Sequence, residues 1–170
     1  MVFHGTTVIL DTSNGVFGDG THGSTLAVLD ALYLANPKDK LVLDIGTGSG
    51  IQSIFAKKWG AKDVLAIDVE YSAILAAQHN FEINKVNVRS KLNIFNEDLG
   101  YKADIMVANL SAAELHGFLP IAKNTLKREG VLICSFPKMF NFFNECDIHD
   151  YEVVRKTECN DFDAFTLKLK

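Results

Sequence analysis

Short apolar runs alternate along this chain with longer stretches whose apolar residues recur at helical spacing, and glycine, asparagine or proline separates them. Residues 8–10 read as a short strand, and 15–23 form a glycine-rich loop. Over 24–35, Leu26, Leu29, Leu32 and Tyr33 fall on one helical face. Asn36-Pro37 ends that helix, because the residue before proline avoids the α region. The run 41–45 is apolar and stopped by glycines, the pattern of a strand buried on both faces. A helix over 51–59 follows, with Gly60 beyond its end. A second buried strand over 64–68 ends in an acid and leads into a helix over 72–84. Residues 86–94 predict a third strand with the polar alternation of a sheet edge, and 104–110 a fourth. A helix over 112–127 contains Pro120, which should kink it. A fifth strand spans 131–136 and a short helix 139–146. Two last strands, 151–156 and 162–169, flank a turn at 159–161 and predict a closing hairpin.

Strand-helix alternation of this kind predicts an α/β fold. Its form is a three-layer, doubly wound, Rossmann-like arrangement around a mostly parallel seven-stranded sheet. The closing hairpin must be antiparallel, since its turn is too short for a crossover. No repeat, low-complexity tract or linker divides the chain, so residues 1–170 form one expected domain, with 1–23 as an N-terminal strand and flap. A domain of 170 residues buries a sizeable core without staples.

Net charge is −4 and no basic run occurs, which disfavours nucleic acid as a partner. No apolar stretch approaches the ~20 residues that span a bilayer. The cysteines, Cys134, Cys146 and Cys159, are odd in number and widely spaced, so neither a disulfide framework nor a zinc site is expected. The N-terminus carries no signal-peptide pattern, and a reducing cytoplasmic setting is the expectation.

In open α/β sheets ligands bind beyond the carboxyl ends of the strands. Three polar features fall at such ends: Asp44 with the loop Gly46-Thr47-Gly48-Ser49-Gly50, Asp68, and Asn109. The glycines let the backbone turn tightly and approach a ligand. A dinucleotide fingerprint would read G-x-G-x-x-G, but here the spacing is G-x-G-x-G, with Ile51 where a third glycine belongs. Asp44, two residues before the first glycine, would repel a pyrophosphate and favour a cation. S-adenosyl-L-methionine carries an ammonium and a sulfonium and no phosphate, so it is the expected cofactor rather than a nicotinamide dinucleotide. Asp68 is suited to accept both ribose hydroxyls. Asp44, Thr47, Gly48 and Gly50 of the loop and Val69 after the second acid join the expected cofactor contacts. No metal is expected.

The segment Phe17-Gly18-Asp19-Gly20-Thr21-His22-Gly23-Ser24-Thr25 resembles the F-G-T-G-T-H-P-T-T loop of the ribosomal protein L11 methyltransferase family. Leu43 to Ile51 is similar to that family's L-D-x-G-C-G-S-G-I motif, Ala66-Ile67-Asp68 to its second acidic strand end, and Asp104 to Ala112 to its D-x-V-V-A-N-I-L-A segment. The resemblance runs from about Gly15 to the C-terminus and implies a class I methyltransferase domain. Carried over by position, it implies cofactor contacts from Thr25, Gly46, Asp68 and Asn109, and a flap made by Phe17, Thr21 and His22. The chain departs from the family at Asp19, at Gly23-Ser24 and at Ser111. It also starts almost directly at the catalytic domain, without the family's N-terminal domain that grips the ribosomal protein. A partner subunit supplying acceptor recognition is therefore one expectation.

The reaction implied is transfer of a methyl group to a nucleophile, an amine of a protein or of a small molecule. Two roles are open to Asn109: orienting that amine, as the catalytic residue, or contacting the cofactor and its loop. Asn109-Leu110-Ser111-Ala112 lacks the D/N-P-P-Y/F form tied to planar amino groups. Glu114 and His116 read as surface helix residues, and Phe136, Phe140, Phe142 and Phe143 as core rather than a substrate mouth. The alternative to an enzyme is a non-catalytic module that binds the same cofactor within a larger assembly.

Overall fold

The computed structural model describes residues 1–13, 15–93 and 100–170. A hairpin of β1 (Val2–Phe3) and β2 (Thr6–Thr7) precedes α1 (Gly23–Leu34). Then follow β3 (Leu41–Ile45), α2 (Ile51–Lys58), β4 (Asp63–Asp68), α3 (Tyr71–Ile83) and β5 (Arg89–Leu92). The second half holds β6 (Ala103–Ala108), α4 (Ala112–Ala122), β7 (Leu126–Pro137), α5 (Phe142–Glu145), β8 (Tyr151–Cys159) and β9 (Phe162–Leu169).

Seven strands form one sheet in the order β5-β4-β3-β6-β7-β9-β8. The first five in that order are parallel, and β9 is antiparallel to both β7 and β8. The expected fold class is the observed one. The order reverses direction between β3 and β6, the switch point where doubly wound sheets open a crevice.

Period-two alternation sorts the sheet's side chains onto two faces. Val42, Val64, Ile105, Val107 and Ile133 pack with Ala27, Val28, Ala31 and Leu32 of α1. Leu43, Ile45, Leu65, Ile67, Met106 and Leu132 pack on the opposite face with Leu115, Phe118 and Leu119 of α4. Ile51, Ile54 and Phe55 of α2 and Ala77 and Phe81 of α3 complete the first face.

Several boundaries differ from the sequence pattern. Residues 8–10 are not a strand. Val8 is fully buried and pairs with the Met1 backbone through its N–H at 2.9 Å and its carbonyl at 2.8 Å; at the next residue the Asn84 amide donates to the Ile9 carbonyl at 2.6 Å and accepts from its N–H at 3.0 Å. The last turns expected of α4 belong to the chain's entry into β7, which begins at Leu126, five residues early. Pairing of Ala103 with Leu126 across a register shift extends that strand. The expected short helix contracts to Phe142–Glu145. The third strand is Arg89–Leu92, and the end expected at Ile94 lies outside the described residues.

Candidate active site

The glycine loop after β3, Asp68 and Asn109 reach one crevice, a cavity of about 960 Å³ beyond β3, β4, β6 and β7. Of the expected site residues, Phe17, Gly46, Gly48, Asp68, Val69 and Asn109 line it. Thr21, Thr25, Asp44, Thr47 and Gly50 are not in its wall.

Asp44 lies one residue short of the end of β3. It shares parity with Val42 and so faces α2, while Ile45, its neighbour, lines the cavity. The Asp44 carboxylate is 1% exposed. Its Oδ2 accepts hydrogen bonds from Thr47 Oγ1 and Ser53 Oγ, each at 2.7 Å, and Oδ1 has no partner among the described residues. Burial pushes its pKa up to about 6, against the opposing pull of the two hydroxyls. Asp44 therefore anchors the loop to α2 from behind. The charge that faces a ligand comes instead from Asp68, Glu70 and Glu114, and among the described residues no lysine or arginine lines the cavity.

The glycine loop is drawn against two neighbours. Gly48 has φ +53°, and a Cβ there would lie 2.7 Å from the Phe17 carbonyl oxygen. Its N–H donates to Asp68 Oδ2 at 3.0 Å, while Asp68 Oδ1 accepts from the Glu70 N–H at 3.0 Å. The carboxylate at the end of β4 is thus aimed by backbone donors on both sides, with lone pairs left for a ligand.

The upstream loop closes over this turn. The Phe17 carbonyl accepts from the Ser49 N–H at 3.0 Å, and the Gly18 carbonyl from Ser49 Oγ at 2.6 Å. Asp19 accepts from the Thr21 N–H and hydroxyl at 2.8 Å, which holds its carboxyl below the usual range. The Thr21 side chain is therefore spent inside the loop. His22 caps α1, accepting from the Ser24 N–H, and its ring contacts Phe17 and Phe162 at centroid distances of 5.3 and 4.7 Å.

Asn109 follows β6, with its Oδ1 2.6 Å from Ser135 Oγ and its Nδ2 3.4 Å from Thr25 Oγ1. Ser111 and Glu114 form a capping box at the start of α4, with each side chain bonded to the other's backbone N–H. His116 is exposed and bonds the Glu145 carbonyl, away from the cavity. The phenylalanines divide: Phe136 and Phe142 are core, whereas Phe140 and Phe143 are 48% and 59% exposed.

Two functional positions escaped the sequence reading. Asn80 is fully buried in α3, donates to the Ser49 carbonyl at 2.9 Å and accepts from the Asp11 N–H at 2.8 Å. The signal was a pair of asparagines four apart, Asn80 and Asn84, on one helix face. Ser135 was the other, a polar residue at the end of an apolar strand.

The sheet order and this crevice define a Rossmann-like methyltransferase fold. A family model described as ribosomal protein L11 methyltransferase (PrmA) matches residues 4–136. The chain belongs to that family. It is 42% identical over 129 residues to the ribosomal protein L11 methyltransferase of Pasteurella multocida (strain Pm70), covering 75% of this chain and 43% of the relative. It is 44% identical over 119 residues to that of Haemophilus influenzae (strain ATCC 51907 / DSM 11121 / KW20 / Rd), covering 68% and 40%. The chain thus spans about four-tenths of the length of these curated relatives. The crystal structure of a ribosomal protein L11 methylase from Lactobacillus delbrueckii subsp. bulgaricus superimposes with a TM-score of 0.82 at 26% identity, over 91% of this chain and 81% of that one.

Proposed function

We propose that this chain is an S-adenosyl-L-methionine-dependent methyltransferase acting on a protein amine, with ribosomal protein L11 as the first acceptor to test. The observation that carries the reading is convergence. A glycine loop, a ribose-type carboxylate (Asp68) and an amide (Asn109) meet at one cavity whose wall bears three carboxylates and no lysine or arginine among the described residues. Such a wall suits a cationic nucleoside and repels a pyrophosphate.

The residues present fit that cofactor. Gly46 has φ +66° and a Cβ there would lie 2.5 Å from Leu110 Cδ2, so glycine lets the loop turn tightly beside Leu110 at the cavity wall. Gly46 and Gly48 would face its amino-acid portion, and Asp68 would accept from its ribose hydroxyls. When bound, S-adenosyl-L-methionine supplies a methyl group already activated on a sulfonium. The protein's remaining work is alignment. Asn109 offers its carbonyl to an N–H of the acceptor and so points the nitrogen lone pair along the transfer line. A lysine acceptor has a reference pKa of about 10.4, so it must lose its proton on leaving water.

The test is calorimetry with S-adenosyl-L-methionine, with NADH as the control, followed by transfer of labelled methyl to ribosomal protein L11. Asn109→Ala should cut transfer by about 100-fold or more, the scale of lost orientation, and leave cofactor Kd within about tenfold, ~1.4 kcal/mol. Unchanged turnover in that variant removes Asn109 from catalysis. Tight cofactor binding without transfer to L11 by the unaltered chain favours a binding module.

A further inference from the structure

The chemistry Asn109 offers depends on which way its amide faces, because one end accepts hydrogen bonds and the other donates. Its neighbours follow from the register. Strands β6 and β7 run parallel with Ala108 opposite Cys134, so the next residue on each, Asn109 and Ser135, stand side by side. Ser135 is 3% exposed, and Thr25, across from it in α1, is fully buried. Both partners are therefore fixed by packing while Asn109 meets the cavity.

The distances orient the amide. Ser135 Oγ lies 2.6 Å from Asn109 Oδ1, within the ~2.5–3.0 Å span of O–H···O bonds and short for N–H···O. Nδ2 to Thr25 Oγ1 is 3.4 Å, long for either kind of bond, so the orientation rests on the short Ser135 contact. The hydroxyl of Ser135 thus donates to the carbonyl, and the NH₂ group turns toward Thr25. Ser135 and Asn109 line the cavity and Thr25 does not. The acceptor end of the amide therefore lies beside Ser135, which lines the cavity with it, and the donor end lies toward buried Thr25.

We propose that Ser135 is a positioning residue that locks the polarity of Asn109, and through it restricts the acceptor to nucleophiles that carry an N–H. The inference rests on the methyltransferase reading above. With the amide reversed, two N–H donors would confront the donor N–H of an amine, and the lone pair would lose its guide. A carbonyl held by a buried hydroxyl prevents that reversal and keeps a second lone pair free for the acceptor.

The experiment compares the unaltered chain, Ser135→Ala and Ser135→Thr. Each is assayed for kcat and KM with S-adenosyl-L-methionine and ribosomal protein L11, and for S-adenosylhomocysteine affinity by calorimetry. Ser135→Ala should lower kcat about tenfold or more while cofactor KM and S-adenosylhomocysteine Kd stay within about threefold. Ser135→Thr keeps the hydroxyl and should restore kcat to within about threefold. An Ser135→Ala kcat within about twofold of the unaltered chain overturns the proposal. So does a loss of S-adenosylhomocysteine affinity that parallels the loss of kcat, since that marks a distorted pocket rather than a misdirected amide. An unaltered chain that binds no S-adenosylhomocysteine fails the methyltransferase reading itself, and this inference with it, before any substitution is compared.

Discussion

Raising the pH should destabilise the ligand-free chain through Asp44, against the usual behaviour of a carboxylate. Its carboxyl titrates near pH 6 in the folded chain and near 3.8 when unfolded. Between those values the folded state holds a proton that the unfolded state has released. Stability then falls as pH rises, because the unfolded state binds fewer protons. The window spans about two pH units, and at ~1.36 kcal/mol per unit the loss is about 3 kcal/mol. Below pH 4 the group contributes nothing, and above about pH 6 the penalty is complete. Other groups titrate in the same range, so the measurement is a difference from Asp44→Asn. The amide oxygen of that variant can accept from both Thr47 and Ser53, as Oδ2 does. Its NH₂ takes the place of Oδ1, which has no partner among the described residues, and that cost does not vary with pH. Urea unfolding in half-unit steps from pH 3.5 to 8 should show Asp44→Asn gaining about 3 kcal/mol on the unaltered chain by pH 7, and no more above it. Parallel curves, or a gain that runs the other way, would refute the assignment of a buried, protonation-prone Asp44.

Two further perturbations probe the loop. Gly48→Ala should cost about 1–2 kcal/mol for a side chain at positive φ, plus the clash with the Phe17 carbonyl; calorimetry should find cofactor binding lost, and retained affinity would show that the loop can yield. Asn80→Ala removes two buried hydrogen bonds, to Ser49 and Asp11, and should cost about 2–4 kcal/mol by urea unfolding. An Asn80→Ala loss below about 0.5 kcal/mol would mean the asparagine pair does not hold the N-terminal segment.

The parts of this site that were legible in the sequence are those set by local pattern. A glycine turn after an apolar strand, an acid ending the next and an asparagine ending a third must all meet at the carboxyl edge of a parallel sheet. What the pattern could not supply is direction. Asp44 lies near the end of β3 yet turns to Thr47 and Ser53, one residue short of the strand end, whereas Asp68, on the same sheet face, ends β4 and reaches the cavity. The Asn109-Ser135 contact needed β6 and β7 to be paired in register, a relation between residues 26 positions apart. Beyond Val8, which pairs with Met1, the side-chain amides of Asn84 and Asn80 satisfy the backbone of Ile9 and Asp11 in place of the strand expected over 8–10.

The polar departures from the family's motifs, Asp19, Ser24 and Ser111, are explained by the same accounting of hydrogen bonds. Asp19, where the family has threonine, ties the flap through Thr21. Ser111, where the family has an apolar residue, caps α4 and binds Glu114. Ser24 meets the His22 ring nitrogen at 2.7 Å and donates its N–H to it, closing the start of α1. Each substituted polar group finds its partner within three residues, so each stabilises a helix start or a turn. None of them bonds the Asp68 carboxylate or the Asn109 amide, the two groups proposed above to meet the ribose and the acceptor. Ser24 and Ser111 also line the cavity, so these departures shape its rim as well as the starts of α1 and α4.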